Sequence, residues 1–397
     1  MPPTMSPEAL LQPPRALIID KPVRLVLIGG FLGAGKTTAL SALAQHFIGH
    51  GQRVGFVTND QATNLVDTAL VRQQELSVSE VAGGCFCCRF TDLLDAAQEV
   101  LAQGPDVLLC EPVGSCTDMV ATVLAPLKHF YRDEFQIAPF CVIVDPRRAR
   151  EIVLKETPAC FAGEAAYIFH KQLEEADLIL LNKVDTLTPK DAARIGDALE
   201  AQFGKTVLKI SALRGDGMAE WAKTMLHAVT DGKHGLKEID YDTYAAGEAV
   251  LGWLNATVEL TGQPTFNPAI FTRELMLSVR QACRQEEAEI AHVKIALSAG
   301  EHFLRANITA TSEEINQSGE AWAKSDAASL VINARIQTDP AWLQEIVTEA
   351  VSYAAQQAGA AAQISEIQSF SPGYPCPPYR IGPLERGFLC HPMLRFP

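Results

Sequence analysis

No run of Lys and Arg occurs anywhere in this 397-residue chain, and its formal charge is −14. Nucleic acid and anionic membranes both demand clustered cations, so neither is expected as a partner, and the acidic surface serves solubility. A membrane helix needs ~18 uninterrupted apolar residues. The most apolar region, Leu25 to Ala44, is broken by Lys36 and several glycines. The first 22 residues hold five prolines before Lys21 and lack an apolar core ending in a small-residue cleavage site, so they do not form a signal peptide. The expected location is cytoplasmic, and the ten cysteines are expected to be reduced thiols. There is no internal repeat.

What is present is a large apolar fraction, 48%, in a chain long enough for two or three domains. Apolar, β-rich runs at 23–28, 53–58, 106–110, 140–144, 178–181 and 207–210 alternate with helix-like segments at 37–47, 91–102, 118–130, 164–176, 189–202 and 218–229. Pro126 is expected to kink or end the third helix. Such alternation predicts an α/β domain with a mostly parallel, doubly wound sheet. The polar, aperiodic stretch 231–248 reads as a linker. Beyond it, a β-α-β-β-β-α order predicts a smaller α+β C-terminal domain. The boundaries are an N-terminal extension at 1–22, the α/β domain at 23–230, the linker at 231–248, the α+β domain at 249–360 and a proline-rich irregular tail at 361–397.

The first strand runs into Gly30-Phe31-Leu32-Gly33-Ala34-Gly35-Lys36-Thr37-Thr38, a GxxxxGKS/T motif between strand and helix. Its glycines allow successive N–H groups to converge on one point, where the helix dipole adds to the anion site. Gly30, Gly33, Ala34, Gly35, Lys36, Thr37 and Thr38 are therefore expected to cradle a triphosphate. Lys36 bridges the β- and γ-phosphates, and the Thr37 hydroxyl ligates Mg²⁺.

Asn182-Lys183-Val184-Asp185 lies where the run 178–181 ends, at the edge where a base would sit. A fixed carboxylate at Asp185 accepts from both N1–H and the exocyclic amine of guanine, and adenine offers no such pair. Ser211-Ala212 presents an N–H toward the guanine O6. Glu111, ending the run 106–110, occupies the position that holds Mg²⁺ or its water, and the Gly114 N–H reaches toward the γ-phosphate. Asp60 is a second acid facing Mg²⁺ or the attacking water. With Gln61 as the sole water-orienting candidate, intrinsic hydrolysis is expected to be slow.

Gly83-Gly84-Cys85-Phe86-Cys87-Cys88 falls between the second and third of those strand runs, where nucleotide switches move. Three thiols in four residues suit Zn²⁺ or another soft or borderline ion. Cys85 and Cys87 are spaced to chelate one ion, whereas the adjacent Cys87 and Cys88 diverge. A buried turn or a redox pair is the alternative. Cys110, Cys116, Cys141, Cys160 and Cys283 are expected to pack in cores.

Together, the strings at 29–38, 83–88, 111–114 and 182–185 resemble the CobW-type metallochaperone GTPases, relatives of the nickel-inserting GTPases of urease and hydrogenase. The resemblance covers about 22–230 and is looser beyond. It implies that Cys85, Cys87 and Cys88 are the site of a transition metal (Zn²⁺, Co²⁺ or Ni²⁺). It also implies that Lys36 and Thr37 hold phosphate and Mg²⁺, and that Asn182 and Asp185 select guanine. The chain departs from the family at Asn59-Asp60-Gln61-Ala62, which replaces Asn-Glu-Phe-Gly, and in lacking a His-rich stretch. Cys376, Cys390 and His391 are tail residues expected to pack loosely, with ligation as the alternative.

The leading expectation is a GTP-switched metallochaperone with GTP and a client apo-metalloprotein as partners; a homodimer stays open. The alternatives are a GTP-dependent adaptor of a metalloenzyme or corrinoid enzyme with structural cysteines, and a P-loop kinase of a small molecule.

Overall fold

The computed structural model describes residues 13–59, 77–81, 83–157, 163–228, 235–319 and 322–381. Asp60, Gln61, Cys160, Cys390 and His391 lie outside them. The first sheet contains β1 (Val23–Gly30), β2 (Val54–Asn59), β3 (Ser77–Val81), β4 (Val107–Glu111), β5 (Phe135–Ile137), β6 (Cys141–Val144), β7 (Leu178–Leu181) and β8 (Thr206–Lys209). Their order is β3-β2-β4-β1-β6-β7-β8, with β5 beside the start of β1, and every pairing is parallel. The central strands are apolar throughout because helices cover both faces.

Local chemistry sets the helix ends. Thr188 caps Pro189–Phe203 by accepting from Asp191 N–H, and Gly204 closes that helix at φ 65°. The expected helix 118–130 is one π-turn, Val120–Leu124, followed by Ala125–Phe130. Pro126 lacks the N–H that a regular turn requires at this junction, so the helix is widened there but does not end.

A second sheet is antiparallel, with β9 (Gly252–Phe266), β10 (Ile290–Ala299), β11 (His302–Ile308), β12 (Asn316–Gly319), β13 (Ser325–Ile336) and β14 (Ala360–Phe370) in the order β12-β11-β10-β13-β9-β14. Helices Pro268–Gln285 and Pro340–Ala358 bury their apolar stripes against it, forming a separate core.

Two expectations fail. Residues 360–370, placed mostly in an irregular tail, form β14 and pair with β9 along nearly its whole length. Its Ala-rich start hides the alternation, and as an edge strand it is half exposed. The stretch 231–248 contains most of a helix, Tyr241–Ala249, capped by Asp240. Gly247 breaks its periodicity for a packing reason, because a Cβ there would stand 2.5 Å from the Glu164 carbonyl oxygen on helix Gly163–Glu175.

Candidate nucleotide and metal site

The carboxyl ends of β1, β2, β4 and β7 meet at one edge of the first sheet, the edge where doubly wound folds bind ligands. The loop after β1 adopts the nest that a phosphate requires. Gly35 has φ 92°, and a Cβ on it would lie 2.7 Å from Asn182 Nδ2. Lys36 Nζ donates to the Gly30 carbonyl at 3.0 Å, and the Thr37 hydroxyl donates to Glu111 Oε1 at 2.8 Å. Thr37 and Glu111 thus face each other as a hydroxyl and a carboxylate, the oxygen donors that suit a hard divalent cation. Gly114 lies so near that a Cβ would come 2.9 Å from Lys36 Nζ.

The base-reading sequence also braces the phosphate loop. Asn182 Nδ2 donates to the Ala34 carbonyl at 3.0 Å, while its Oδ1 accepts from Ala212 N–H at 3.1 Å. Lys183, at φ 58°, donates through Nζ to the Gly33 carbonyl at 3.0 Å and to Asp145. The Ser211 hydroxyl donates to Asp185 Oδ1 at 2.6 Å, which fixes the carboxylate that would meet guanine. Thr38 lines the same cleft.

Sequence reasoning missed one wall of this cleft. A cavity of about 970 Å³ extends from Lys36 and Asp185 to Lys294, Arg305 and Arg335 of the second sheet. Arg147 pairs with Glu289 at 2.9 Å, Arg148 donates to the Thr309 carbonyl at 3.4 Å, and Thr309 stands over Gly33. No motif marks residues that reach a site from a distant sheet.

Beside the cleft, Cys85, Cys87 and Cys88 bring their sulfurs within 4.8 Å of one another. Two thiolates on one tetrahedral ion at ~2.3 Å stand ~3.8 Å apart. Cys87 and Cys88 already lie at 3.8 Å, and Cys85 and Cys87, at 2.7 Å, must open by about 1 Å to meet the same geometry. The turn therefore fits an ion after a small adjustment. Cys85 and Cys87 are buried and Cys88 is partly exposed.

Cys116 was expected to be a packing residue, but the structure puts its thiol in hydrogen-bonding contact with those of Cys85 and Cys87. Contact with Cys116, then with Cys87 and Cys88, holds Cys85 well below the usual thiol range. Cys116 and Cys85 push Cys87 well above that range, and burial pushes Cys116 up. The group accommodates one negative charge readily, and further ones need a cation. Cys110, Cys141 and Cys283 are buried within the two cores.

The cysteine turn is clamped to the switch strand. Asn59, the last residue of β2, donates through Nδ2 to the carbonyls of Val81 (2.9 Å) and Gly84 (2.7 Å), and its Oδ1 accepts from Phe86 N–H at 2.8 Å. The tail reaches the opposite side. Cys376 N–H donates to Cys88 Sγ at 3.1 Å, and Arg380 forms a bidentate pair with buried Asp118.

Residues 24–207 match the family model described as the CobW/HypB/UreG nucleotide-binding domain. A zinc chaperone, YeiR, of Escherichia coli K12 is 32% identical over 171 residues, covering 42% of this chain and 48% of the relative. The zinc chaperone CobW of Pseudomonas aeruginosa is 25% identical over 223 residues, 48% of this chain and 57% of the relative. The chain thus spans about half the length of these relatives. The crystal structure of HypB from Helicobacter pylori in complex with nickel aligns at TM-score 0.38 and 16% identity, over 55% of this chain and 92% of that one. Among the described residues no helix is long and apolar enough to cross a membrane.

Proposed function

Because residues 24–207 belong to the CobW/HypB/UreG nucleotide-binding family, we propose that the protein is a GTP-binding, GTP-hydrolysing metallochaperone. It takes a transition metal at Cys85, Cys87 and Cys88 and delivers it to a client apo-metalloprotein. The names of the two zinc-chaperone relatives favour zinc, and the thiolate donors admit cobalt or nickel as well.

The observation that carries this reading is the Asn59 clasp, through which the end of β2 and the metal-binding turn share three hydrogen bonds. Nucleotide binding is the task of the neighbouring groups. Lys36 meets the β- and γ-phosphates, Gly114 N–H points to the γ-phosphate, and Asn182 and Asp185 select guanine. Mg²⁺, held by Thr37 with Glu111 opposite, supplies charge neutralisation on the phosphates. Residues that shift when the γ-phosphate is present then shift the cysteine turn with them. Turnover without a partner is slow. Asp60 completes the acid pair in this account.

Purified protein carrying Cys85→Ser, Cys87→Ser and Cys88→Ser together tests the reading by elemental analysis. The expected result is loss of the bound zinc with GTP binding retained. Full zinc content in the triple variant would refute it. Burial of Cys85 and Cys87 favours a second reading, a GTP-dependent adaptor with structural cysteines. In that case the triple variant would still activate the client.

A further inference from the structure

The CxCC turn supplies only one side of a metal polyhedron. Three sulfurs from four successive residues crowd one face of an ion, and the remaining corner of a tetrahedron has to come from another segment. We propose that Cys116 is that corner, so that the metal site is a four-sulfur cage of Cys85, Cys87, Cys88 and Cys116; this rests on the metallochaperone reading above.

The Cys116 thiol makes hydrogen-bonding contact with two of the three turn thiols and is 2% exposed, as buried as its partners. Its backbone is fixed from two directions. Gln172 Nε2 donates to the carbonyls of Gly114 (3.0 Å) and Cys116 (2.8 Å), and Cys116 N–H donates to the Val113 carbonyl at 3.0 Å. Next to it, the Ser115 hydroxyl donates to buried Glu248 at 2.5 Å, so helix Tyr241–Ala249 closes over the cluster.

Four thiolates around a divalent ion leave a net charge of −2, which a buried site must offset with donors. Such donors are in place. Cys88 N–H points to the Cys85 sulfur, and Cys376 N–H donates to Cys88 Sγ at 3.1 Å. The hydroxyl of fully buried Tyr244, within electrostatic reach of Cys116, Cys87 and Cys85, has no hydrogen-bond partner among the described residues. It is available to donate to a thiolate. An all-sulfur donor set suits a soft or borderline ion such as Zn²⁺, Cd²⁺ or Co²⁺ and rejects Mg²⁺.

The arrangement also gives release a physical route. Cys116 lies on the same short segment as Glu111, which accepts from Thr37, and Gly114, which abuts Lys36. Three ligands ride on the Asn59-held turn and the fourth on the phosphate-sensing segment. Relative movement of the two removes one sulfur and converts a closed site into an open one.

X-ray absorption of the zinc-loaded full-length protein counts the sulfurs directly, and four are expected around each zinc. In the Co²⁺-loaded Cys116→Ser variant, the thiolate charge-transfer band should lose about one quarter of its intensity, one sulfur of four, with one ion still bound. Zinc affinity should fall by more than the roughly 10–100-fold typical of outer-shell changes. Cys283→Ala, altered in the other core, should match the wild type in both. Three sulfurs in the wild type, or an unchanged Cys116→Ser spectrum, would remove Cys116 from the site and leave the CxCC turn as the chaperone's site. A wild-type protein that holds neither Zn²⁺ nor Co²⁺ would overturn this proposal and the metallochaperone reading together.

Discussion

Replacing Asn59 by Ala cuts the link between the switch strand and the metal turn without touching a sulfur or a phosphate-binding group. Asn59 is 7% exposed and makes three hydrogen bonds, to the carbonyls of Val81 and Gly84 and from Phe86 N–H. At about 1 kcal/mol each, they amount to roughly 3 kcal/mol. If the whole effect falls on the position of the turn, the corresponding equilibrium constant changes about a hundredfold. Part of the effect will appear as lower global stability, so the expected loss of zinc affinity is about 10–100-fold. Competition against a chelating dye, with GTP analogue and separately with GDP, measures it. The two affinities should fall and converge, since the turn no longer follows β2. If zinc affinity and its nucleotide dependence both survive while thermal stability drops, Asn59 is only a structural brace and the coupling argument is wrong.

Other consequences follow from single contacts. Asp185→Asn should weaken GTP and improve the relative binding of xanthosine triphosphate, whose C2 oxygen replaces the amino donor; equilibrium titration with both nucleotides checks it, and unchanged GTP affinity would remove Asp185 from base reading. Gly114→Ala places a Cβ 2.9 Å from Lys36 Nζ and 2.7 Å from Leu32 Cδ2, so GTP affinity should fall about tenfold, one misplaced charged contact, with zinc content kept. Asp106 is held down to about 2, first by Lys21 and then by the Arg53 N–H. A carboxyl with a lowered folded-state value contributes stability above its unfolded value of about 3.9 and loses it as pH falls toward about 2. Asp106→Asn should therefore lower stability at pH 7 and flatten its decline in acid, as read by urea denaturation across that range.

Local chemistry was legible in the sequence and assembly was not. The stretches 30–38 and 182–185 carry their function within a few consecutive residues, and the structure brings Asn182 and Lys183 against the loop of Gly33 and Ala34. The parallel sheet was legible because each central strand is apolar on both faces. Strand β3 was hidden, as its SVSEV alternation is short and polar on one face. The helix 241–249 was hidden by Gly247, whose place depends on a neighbouring helix backbone. Cys116 looked like any buried thiol because the loop it belongs to meets the CxCC turn only after β4 has been laid beside β2. The reach of Lys294 and Arg305 into the nucleotide cleft depends on docking of the second sheet, which no local pattern encodes.

The central claim is that triphosphate and soft ion act on one connected piece of chain, from Asn59 and the cysteine turn to Glu111 and Cys116. Zinc affinity of the wild-type protein, measured with Mg²⁺ and a non-hydrolysable GTP analogue and again with GDP, addresses it most directly. The account predicts a difference of about tenfold or more, a coupling of roughly 1.4 kcal/mol. Equal affinities in the two nucleotide states would contradict it.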